Sequence, residues 1–296
     1  MTTYSYSSVL DHTTDAGFRA WGAELSAGLD TIGAAKTADS GQINWTTTTR
    51  PASGAAAGYE IRKLVDSLSA SAPVFIKLEF GTSGANAPGI WLTIGTGSNG
   101  SGTLTGILYA RFLINPGTAP ASTTTNYPTY MCMTAGALWL CWKVAANTSL
   151  SGRSYFDMVI CRTVDDTGVI TGDGISHYRN GQASNTAALV SYFSFTSTFA
   201  VLATTAPQQF GGNYTFAPLG LTTSVSGGSP ASLQVFRHYT SIPLIRPLIH
   251  AVSSLNADGI TLGTTFQVAP VGTTLHTYLC VQQALSFYDR FCLIWE

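Results

Sequence analysis

The clearest structural signal in the chain is the stretch Val74-Phe-Ile-Lys-Leu-Glu-Phe80. Large apolar side chains recur at every second position from Val74 to Phe80, and Lys77 and Glu79 lie between them. Successive side chains of a strand point to opposite faces of a sheet, so this alternation predicts a half-buried β-strand. A second apolar run at residues 90–94 follows a glycine-containing loop at residues 81–89 and predicts a hairpin or a sheet edge.

Strand-like runs continue to the C-terminus, separated by clusters of Gly, Pro, Asn and Ser. We predict further strands near residues 104–114, 130–144, 155–164, 169–178, 189–202, 233–239, 248–254, 260–268 and 278–295. Many short strands with turn signals between them are typical of antiparallel all-β proteins. The sequence therefore predicts a mainly β fold, with an antiparallel β-sandwich or jelly-roll-like body and one N-terminal amphipathic helix.

The predicted helix follows a 3.6-residue period. Its apolar positions are Phe18, Trp21, Leu25, Leu29 and Ile32. Thr14 or Asp15 can cap its start, and Gly33 fits its end. The apolar face either covers the body's own core or docks on another subunit, and the pattern does not distinguish the two. Phe18, Trp21, Leu25 and Leu29 are therefore the candidate interaction residues.

The predicted organisation has two parts. Residues 1–50 hold the helix and an extended arm, which together form a candidate docking segment. Residues 51–296 form the β-sandwich body, with two subregions divided near the irregular stretch 203–230. A fixed sequence period of 20 to 50 residues is not seen, which argues against a solenoid.

Charge is scarce in this chain. It has 14 Lys and Arg and 15 Asp and Glu among 296 residues, or 10%, against about 25% in ordinary soluble domains. Neutral polar side chains or a neighbouring subunit must therefore cover much of the exterior. The net charge of −1 argues against nucleic acid and anionic membranes as partners.

Membrane insertion and secretion are not expected from the sequence. The longest apolar-leaning stretch, residues 187–203, is interrupted by Ser and Thr, whereas a spanning helix needs about 18 or more apolar residues. Residues 1–11 lack a basic region followed by an apolar run, so we expect synthesis in the cytoplasm of a host cell. The five cysteines form no CxxC pair, and we interpret them as buried thiols.

Catalytic motifs are weak or missing. The glycine-rich run 95–102 lacks the Lys and the following helix of a phosphate-binding loop, and we interpret it as a flexible turn. We find neither a Gly-x-Ser-x-Gly elbow nor His and Cys at metal-ligand spacing. We therefore expect no enzymatic activity, no cofactor and no metal.

Two weaker alternatives rest on particular residues. A polysaccharide depolymerase would use carboxylates from the set Asp157, Asp165, Asp166 and Asp173, although an Asp pair before a strand is more typical of a turn. A carbohydrate-binding module would stack sugars on aromatic side chains in loop-like or terminal settings. The candidates for such stacking are Tyr4, Tyr6, Tyr127, Tyr130 and Tyr214.

Several sequence blocks resemble a known class of proteins. They are Tyr4-Ser-Tyr-Ser-Ser8, Thr14-Asp-Ala-Gly-Phe-Arg-Ala-Trp-Gly22, Lys36-Thr-Ala-Asp-Ser-Gly-Gln-Ile-Asn-Trp45 with Arg50-Pro51, Ala57-Gly-Tyr-Glu-Ile61, Ala72-Pro-Val-Phe-Ile-Lys77, the glycine-rich run 95–102, and Arg162-Thr-Val-Asp-Asp-Thr-Gly168. Together they resemble the virion structural proteins of tailed bacteriophages, those of the tail, fibre or baseplate. The resemblance covers roughly the first 175 residues.

That resemblance implies a homo-oligomer built into a particle and supplies no catalytic residues. We expect a non-enzymatic virion component of the tail, fibre, baseplate or neck. Its partners would be further copies of itself, as a trimer or ring, and other virion proteins. A host surface glycan is a further candidate partner if the chain lies at a fibre tip.

Overall fold

Strands account for most of the described chain. The computed structural model describes residues 2–114, 123–143, 155–164, 169–180, 195–201, 208–213, 217–218, 233–237, 246–247, 251–254, 265–268, 276–283 and 290–295. The strands are β1 (Thr2–Val9), β2 (Ala56–Lys63), β3 (Phe75–Gly84), β4 (Ala87–Ser98), β5 (Leu104–Leu113), β6 (Asn126–Thr134), β7 (Ala137–Lys143), β8 (Tyr155–Val164), β9 (Ile170–Asn180), β10 (Phe195–Val201), β11 (Gln208–Asn213), β12 (Ala217–Pro218), β13 (Leu233–Arg237), β14 (Arg246–Pro247), β15 (Ala251–Ser254), β16 (Thr265–Val268), β17 (His276–Gln283) and β18 (Arg290–Ile294). Among these described residues there is one helix, α1, which spans Asp15–Thr31. The mainly β fold with an N-terminal helix is confirmed.

The strands form three antiparallel sheets. A four-stranded sheet has the order β2-β3-β4-β5, and an eight-stranded sheet has the order β1-β6-β7-β8-β9-β10-β11, with β14 also paired to β8. A six-stranded sheet has the order β12-β13-β15-β18-β17-β16. Most neighbours within the first two sheets are consecutive in the chain, so these sheets are built largely from hairpins.

Helix α1 begins and ends where the sequence predicts. The hydroxyl of Thr14 accepts a 3.0 Å hydrogen bond from the amide of Gly17, which satisfies one of the unpaired amides of the first turn. Gly33 follows the last turn with φ of 91°, a left-handed conformation that glycine adopts without steric cost. The cap and the terminating glycine therefore define the 17-residue helix.

One hydrophobic core joins the helix, the four-stranded sheet and the eight-stranded sheet. Its buried members include Trp21 of α1, Ile76 of β3, Met131 of β6 and Ile160 of β8. The buried side chains of α1 thus pack in the same core as the strands. Residues on both sides of the boundary predicted at residue 50 contribute to this core.

Strand β1 is not among the predicted strands, because the sequence predicts only a helix and an extended arm over residues 1–50. It pairs with β6 along its whole length, from Thr2 opposite Met133 to Val9 opposite Asn126. Only the tertiary fold brings these distant segments together. A local sequence pattern does not contain this information.

Several strand boundaries also differ from the sequence prediction. The expected loop at residues 81–89 is a tight turn at Ala85 and Asn86, and Asn86 has φ of 57°. The predicted strand 130–144 is a hairpin, β6 and β7, and the predicted strand 278–295 contains both β17 and β18. The first half of the glycine-rich run 95–102 belongs to β4, so that run is not simply a turn.

Candidate functional site

The apolar face of α1 packs inside its own chain. The side chains of Phe18, Trp21, Leu25 and Leu29 are all buried. The ring of Trp21 lies edge-on to that of Phe80, with centroids 6.0 Å apart. Of the two placements that the sequence left open, the structure has the intramolecular one, so these four side chains are not offered to a neighbouring subunit.

Two glycines bring the helix close to its neighbours. A Cβ on Gly22 would lie 2.0 Å from Cη2 of Trp45, and a Cβ on Gly28 would lie 2.7 Å from Cε of Met131. A side chain at Gly22 would overlap the rigid ring of Trp45, whereas one at Gly28 would require the terminal methyl of Met131 to shift. These glycines, which weaken an isolated helix, therefore permit tight packing.

A buried polar cluster fixes the same helix to β2. The carboxylate of Glu60 accepts hydrogen bonds from the hydroxyl of Ser26 at 2.8 Å and from Nε1 of Trp45 at 2.9 Å, and it forms an ion pair with Lys36 at 2.6 Å. Arg62 forms an ion pair with the other oxygen of Glu60. Both Glu60 and Arg62 are fully buried.

Arg62 is paired in almost every direction. Its guanidinium donates to the carbonyl oxygen of Ala34 at 2.6 Å and to the hydroxyl of Ser26 at 2.9 Å, and it also binds the carboxylate of Asp30. Burial alone would raise the pKa of Glu60, but the nearby Arg62 and the hydrogen bond from Lys36 outweigh it and lower that pKa. The cluster is therefore ionised and holds α1 on β2.

A second buried ion pair ties the segment after β2 to the eight-stranded sheet. Arg162 of β8 donates from Nη2 to Oδ1 of Asp66 at 3.0 Å and to the carbonyl oxygen of Ala72 at 2.8 Å. Its Nε also bonds to the other carboxylate oxygen of Asp66. Both side chains are almost completely buried, so the chain places further charge in its interior.

The outward face of the four-stranded sheet combines cations with aromatic rings. Nζ of Lys77 lies 4.6 Å from the centroid of Tyr59, and Nζ of Lys63 lies 5.6 Å from that of Phe75. Cζ of Arg111 lies 4.6 Å from the Trp91 ring. We call this surface the cationic face and define it by its members Tyr59, Lys63, Phe75, Lys77, Glu79, Trp91, Ile107 and Arg111.

Glu79 supplies the only carboxylate among these defined members. It accepts a 2.8 Å hydrogen bond from Nε of Arg111. Arg111 keeps 45% of its side chain exposed, and Ile107 is also 45% exposed, which is high for a large apolar residue. This face is not predicted by the sequence. The sequence signal for this face is that Lys and aromatic residues occupy alternate positions of adjacent strands, which places them on the same side of the sheet.

Of the four candidate carboxylates of a depolymerase, the two that lie within the described residues are far apart. Asp157 lies in β8 and Asp173 lies in β9. The β8–β9 register pairs Met158 with Arg179 and Arg162 with Ile175, so the backbones of the two Asp residues are roughly 20 Å apart along the strands. A glycosidase pair needs a carboxyl separation of roughly 5 to 9.5 Å. Asp165 and Asp166 lie outside the described residues.

The tyrosines proposed for sugar stacking lie in strands and not in loops. Tyr4 and Tyr6 belong to β1 and pack against the core, and Tyr127 in β6 is buried. Tyr130, also in β6, lies edge-on to Trp295 with centroids 6.2 Å apart. The loop-like settings expected for Tyr127 and Tyr130 are therefore wrong, whereas Tyr4 and Tyr6 are near the N-terminus, as expected, but in a strand. Tyr214 lies outside the described residues.

Cys132, Cys141 and Cys161 are buried free thiols, as predicted. Burial raises the pKa of Cys132 to about 12, so its reactive thiolate form is suppressed. The side chains of Cys280 and Cys292 lie outside the described part. In the part of the chain that the structure does describe, His, Cys, Asp and Glu side chains form no group of three that could hold a metal ion.

Within the described ranges, α1 is neither long enough nor apolar enough to cross a membrane. No protein-family model matches the chain, and no curated protein or solved structure is significantly similar to it.

Proposed function

We propose that this chain is a non-enzymatic structural subunit of a tailed-bacteriophage particle and that it assembles as a homo-oligomer. The observation that carries the proposal is the shortage of charge on its exterior. The sequence holds few ionisable side chains, and four of them, Glu60, Arg62, Asp66 and Arg162, are paired with one another in the interior. The surface is therefore even less charged than the composition suggests.

A weakly charged exterior favours association. Proteins whose net charge is near zero lack the mutual repulsion that keeps single copies apart, and this chain has a net charge of −1. Symmetric assembly buries such surfaces between copies. The sequence resemblance to virion structural proteins supports a particular kind of assembly, namely a tail, fibre, baseplate or neck.

The particle itself provides the test. Phage particles from a host carrying this gene would be purified by density gradient, and their polypeptides identified by mass spectrometry. We expect the chain in the particle fraction at a fixed ratio to the major tail protein, whereas a soluble host protein serves as the negative control. Its absence from intact particles, with abundant chain in the soluble lysate, would contradict the proposal.

A further inference from the structure

The cationic face has the composition of a protein interface. Binding surfaces are enriched in Tyr, Phe and Arg relative to the rest of a protein surface, and this face presents Tyr59, Phe75 and Arg111. The ring of Trp91 lies buried beneath Arg111 and supports it from below. It also exposes almost half of Ile107. Water contact at such a position is unfavourable, so coverage by a partner would stabilise it.

The charge of this face restricts its partner. Its members include three cations, Lys63, Lys77 and Arg111, and one carboxylate, Glu79. Two copies that met through this same face would bring like charges together, which disfavours a two-fold contact. The partner surface must therefore be neutral or acidic.

A second copy of the chain offers such a surface. Because the whole chain has a net charge of −1 and the cationic face carries three cations and one carboxylate, the residues outside this face are net negative. Among the described elements, the outward side of α1 is acidic: Glu24 is exposed there, and Asp15 is exposed in its first turn. Asp30 is exposed as well, although its carboxylate is already paired with Arg62. Between them lie exposed alanines, Ala16, Ala20, Ala23 and Ala27, which allow a close approach.

We propose that the cationic face of one copy binds the outward side of α1 of the next copy. The inference rests on the proposed function, because it assumes a homo-oligomer. The two surfaces match in size, since a 17-residue helix is about 25 Å long and strands of 8 to 12 residues are about 26 to 40 Å long. Such a head-to-tail contact forms a closed ring when the rotation between copies closes.

Charge reversal and charge exchange test this contact. Lys77→Glu and Glu24→Lys are made singly and together in the full chain, and the molar mass of each is followed by light scattering over a dilution series. We expect each single reversal to raise the apparent dissociation constant by about tenfold or more, because it places like charges in contact. The double variant restores association, since the exchanged charges attract again.

Control variants distinguish a direct effect on the contact from an effect of net charge or of misfolding. Lys77→Gln removes the charge without adding repulsion to Glu79, and it should weaken association less than Lys77→Glu does. Ala85→Glu combined with Asn86→Asp, in the exposed turn between β3 and β4, changes the net charge as much as Lys77→Glu but lies outside both surfaces, and it should leave the dissociation constant unchanged. Circular dichroism verifies that each variant is folded.

The outcomes distinguish this proposal from the proposed function. A wild-type chain that is monomeric overturns both. A wild-type oligomer that is insensitive to both single reversals, or a double variant that stays as weak as the single ones, overturns the interface alone. Weakening by both single reversals with restoration in the double variant supports it.

Discussion

Glu60 and Arg62 occupy inward positions of β2, where apolar side chains are usual. Between them, Ser26, Trp45 and Lys36 supply hydrogen bonds and charge, so neither ion is left unpaired. A buried ion pair adds little net stability relative to an apolar replacement. Removal of one partner is costly, however, because it leaves the other charge buried and unpaired. Individual residues in this cluster should therefore be costly to change.

Glu60→Gln should lower the free energy of unfolding by about 3 kcal/mol or more, because Arg62 and Lys36 lose their shared carboxylate. Urea unfolding measures the loss. The matched control is Glu79→Gln, which breaks an ion pair with the exposed Arg111 and should cost at most about 1 kcal/mol. Equal losses in the two variants would contradict the structural role of the buried cluster.

Gly22→Ala should destabilise the protein by about 1 to 3 kcal/mol, because the new Cβ would overlap the ring of Trp45. Helix propensity alone predicts the opposite, a gain of about 1 kcal/mol. Thermal and urea unfolding decide between them. Ala27→Gly, at an exposed position of the same helix, changes propensity without packing and should cost about 1 kcal/mol. A Gly22→Ala variant more stable than wild type would refute the close approach.

His12 should make the fold sensitive to mild acid. Burial lowers its pKa from 6.5 to about 4, despite a hydrogen bond to the backbone of Gly81 that raises it. The unfolded chain therefore takes up a proton at His12 before the folded chain does. The free energy of unfolding should therefore decrease as the pH falls from 6.5 to 4, and His12 alone should account for a decrease of about 3 kcal/mol.

The measurement is urea unfolding across that pH range for wild type and His12→Gln. The variant cannot take up a proton at this position, so its stability should fall less steeply between pH 6.5 and 4. Glu60 and Asp39, whose pKa values are also lowered, add a further loss at lower pH in both proteins. Parallel curves from pH 6.5 to 4 would show that His12 does not carry the effect.

At the scale of elements, α1 and β1 complete the sandwich. The helix contributes Phe18, Trp21, Leu25 and Leu29 to the common core, and β1 closes the edge of the eight-stranded sheet beside β6. Without them, Met131 and Phe80 would face water. The N-terminal elements therefore belong to the folding unit.

Deletion of residues 1–40 should unfold or loosen the β body, because it uncovers one side of the core. Near-ultraviolet circular dichroism should lose its fixed aromatic signal, and binding of a hydrophobic dye should rise. Deletion of residues 1–3 is the matched control, since it removes only the pairs of Thr2 and Thr3 with β6. A native-like spectrum after deletion of 1–40 would mean that the segment is an independent arm.

The sequence predicted those elements whose signals are local. Helix α1 carries its own period, its cap at Thr14 and its end at Gly33, and β3 carries its own alternation. The turn at Ala135 and Gly136 was missed because apolar residues continue on both sides of it. The partners of β1 and of Glu60 are not predicted for a different reason. They lie far away in the sequence, and a local sequence pattern does not indicate which distant segment a residue will contact.

At the scale of the whole molecule, charge is both scarce and unevenly used. Two ion pairs, Glu60 with Arg62 and Asp66 with Arg162, are buried, while three cations gather on one outward sheet face. The low charge was evident from composition, and the association it implies was predicted from it. Which charges are internal depends on strand register and was not predictable.

The molar mass of the purified chain in solution is the most direct test of the central claim that this exterior is made for association. Light scattering coupled to size-exclusion chromatography would measure it at micromolar concentrations, on protein whose folding has been verified by circular dichroism. We predict a defined multiple of the 31.2 kDa chain mass. A folded chain that remains at 31.2 kDa over the whole concentration range would contradict the claim.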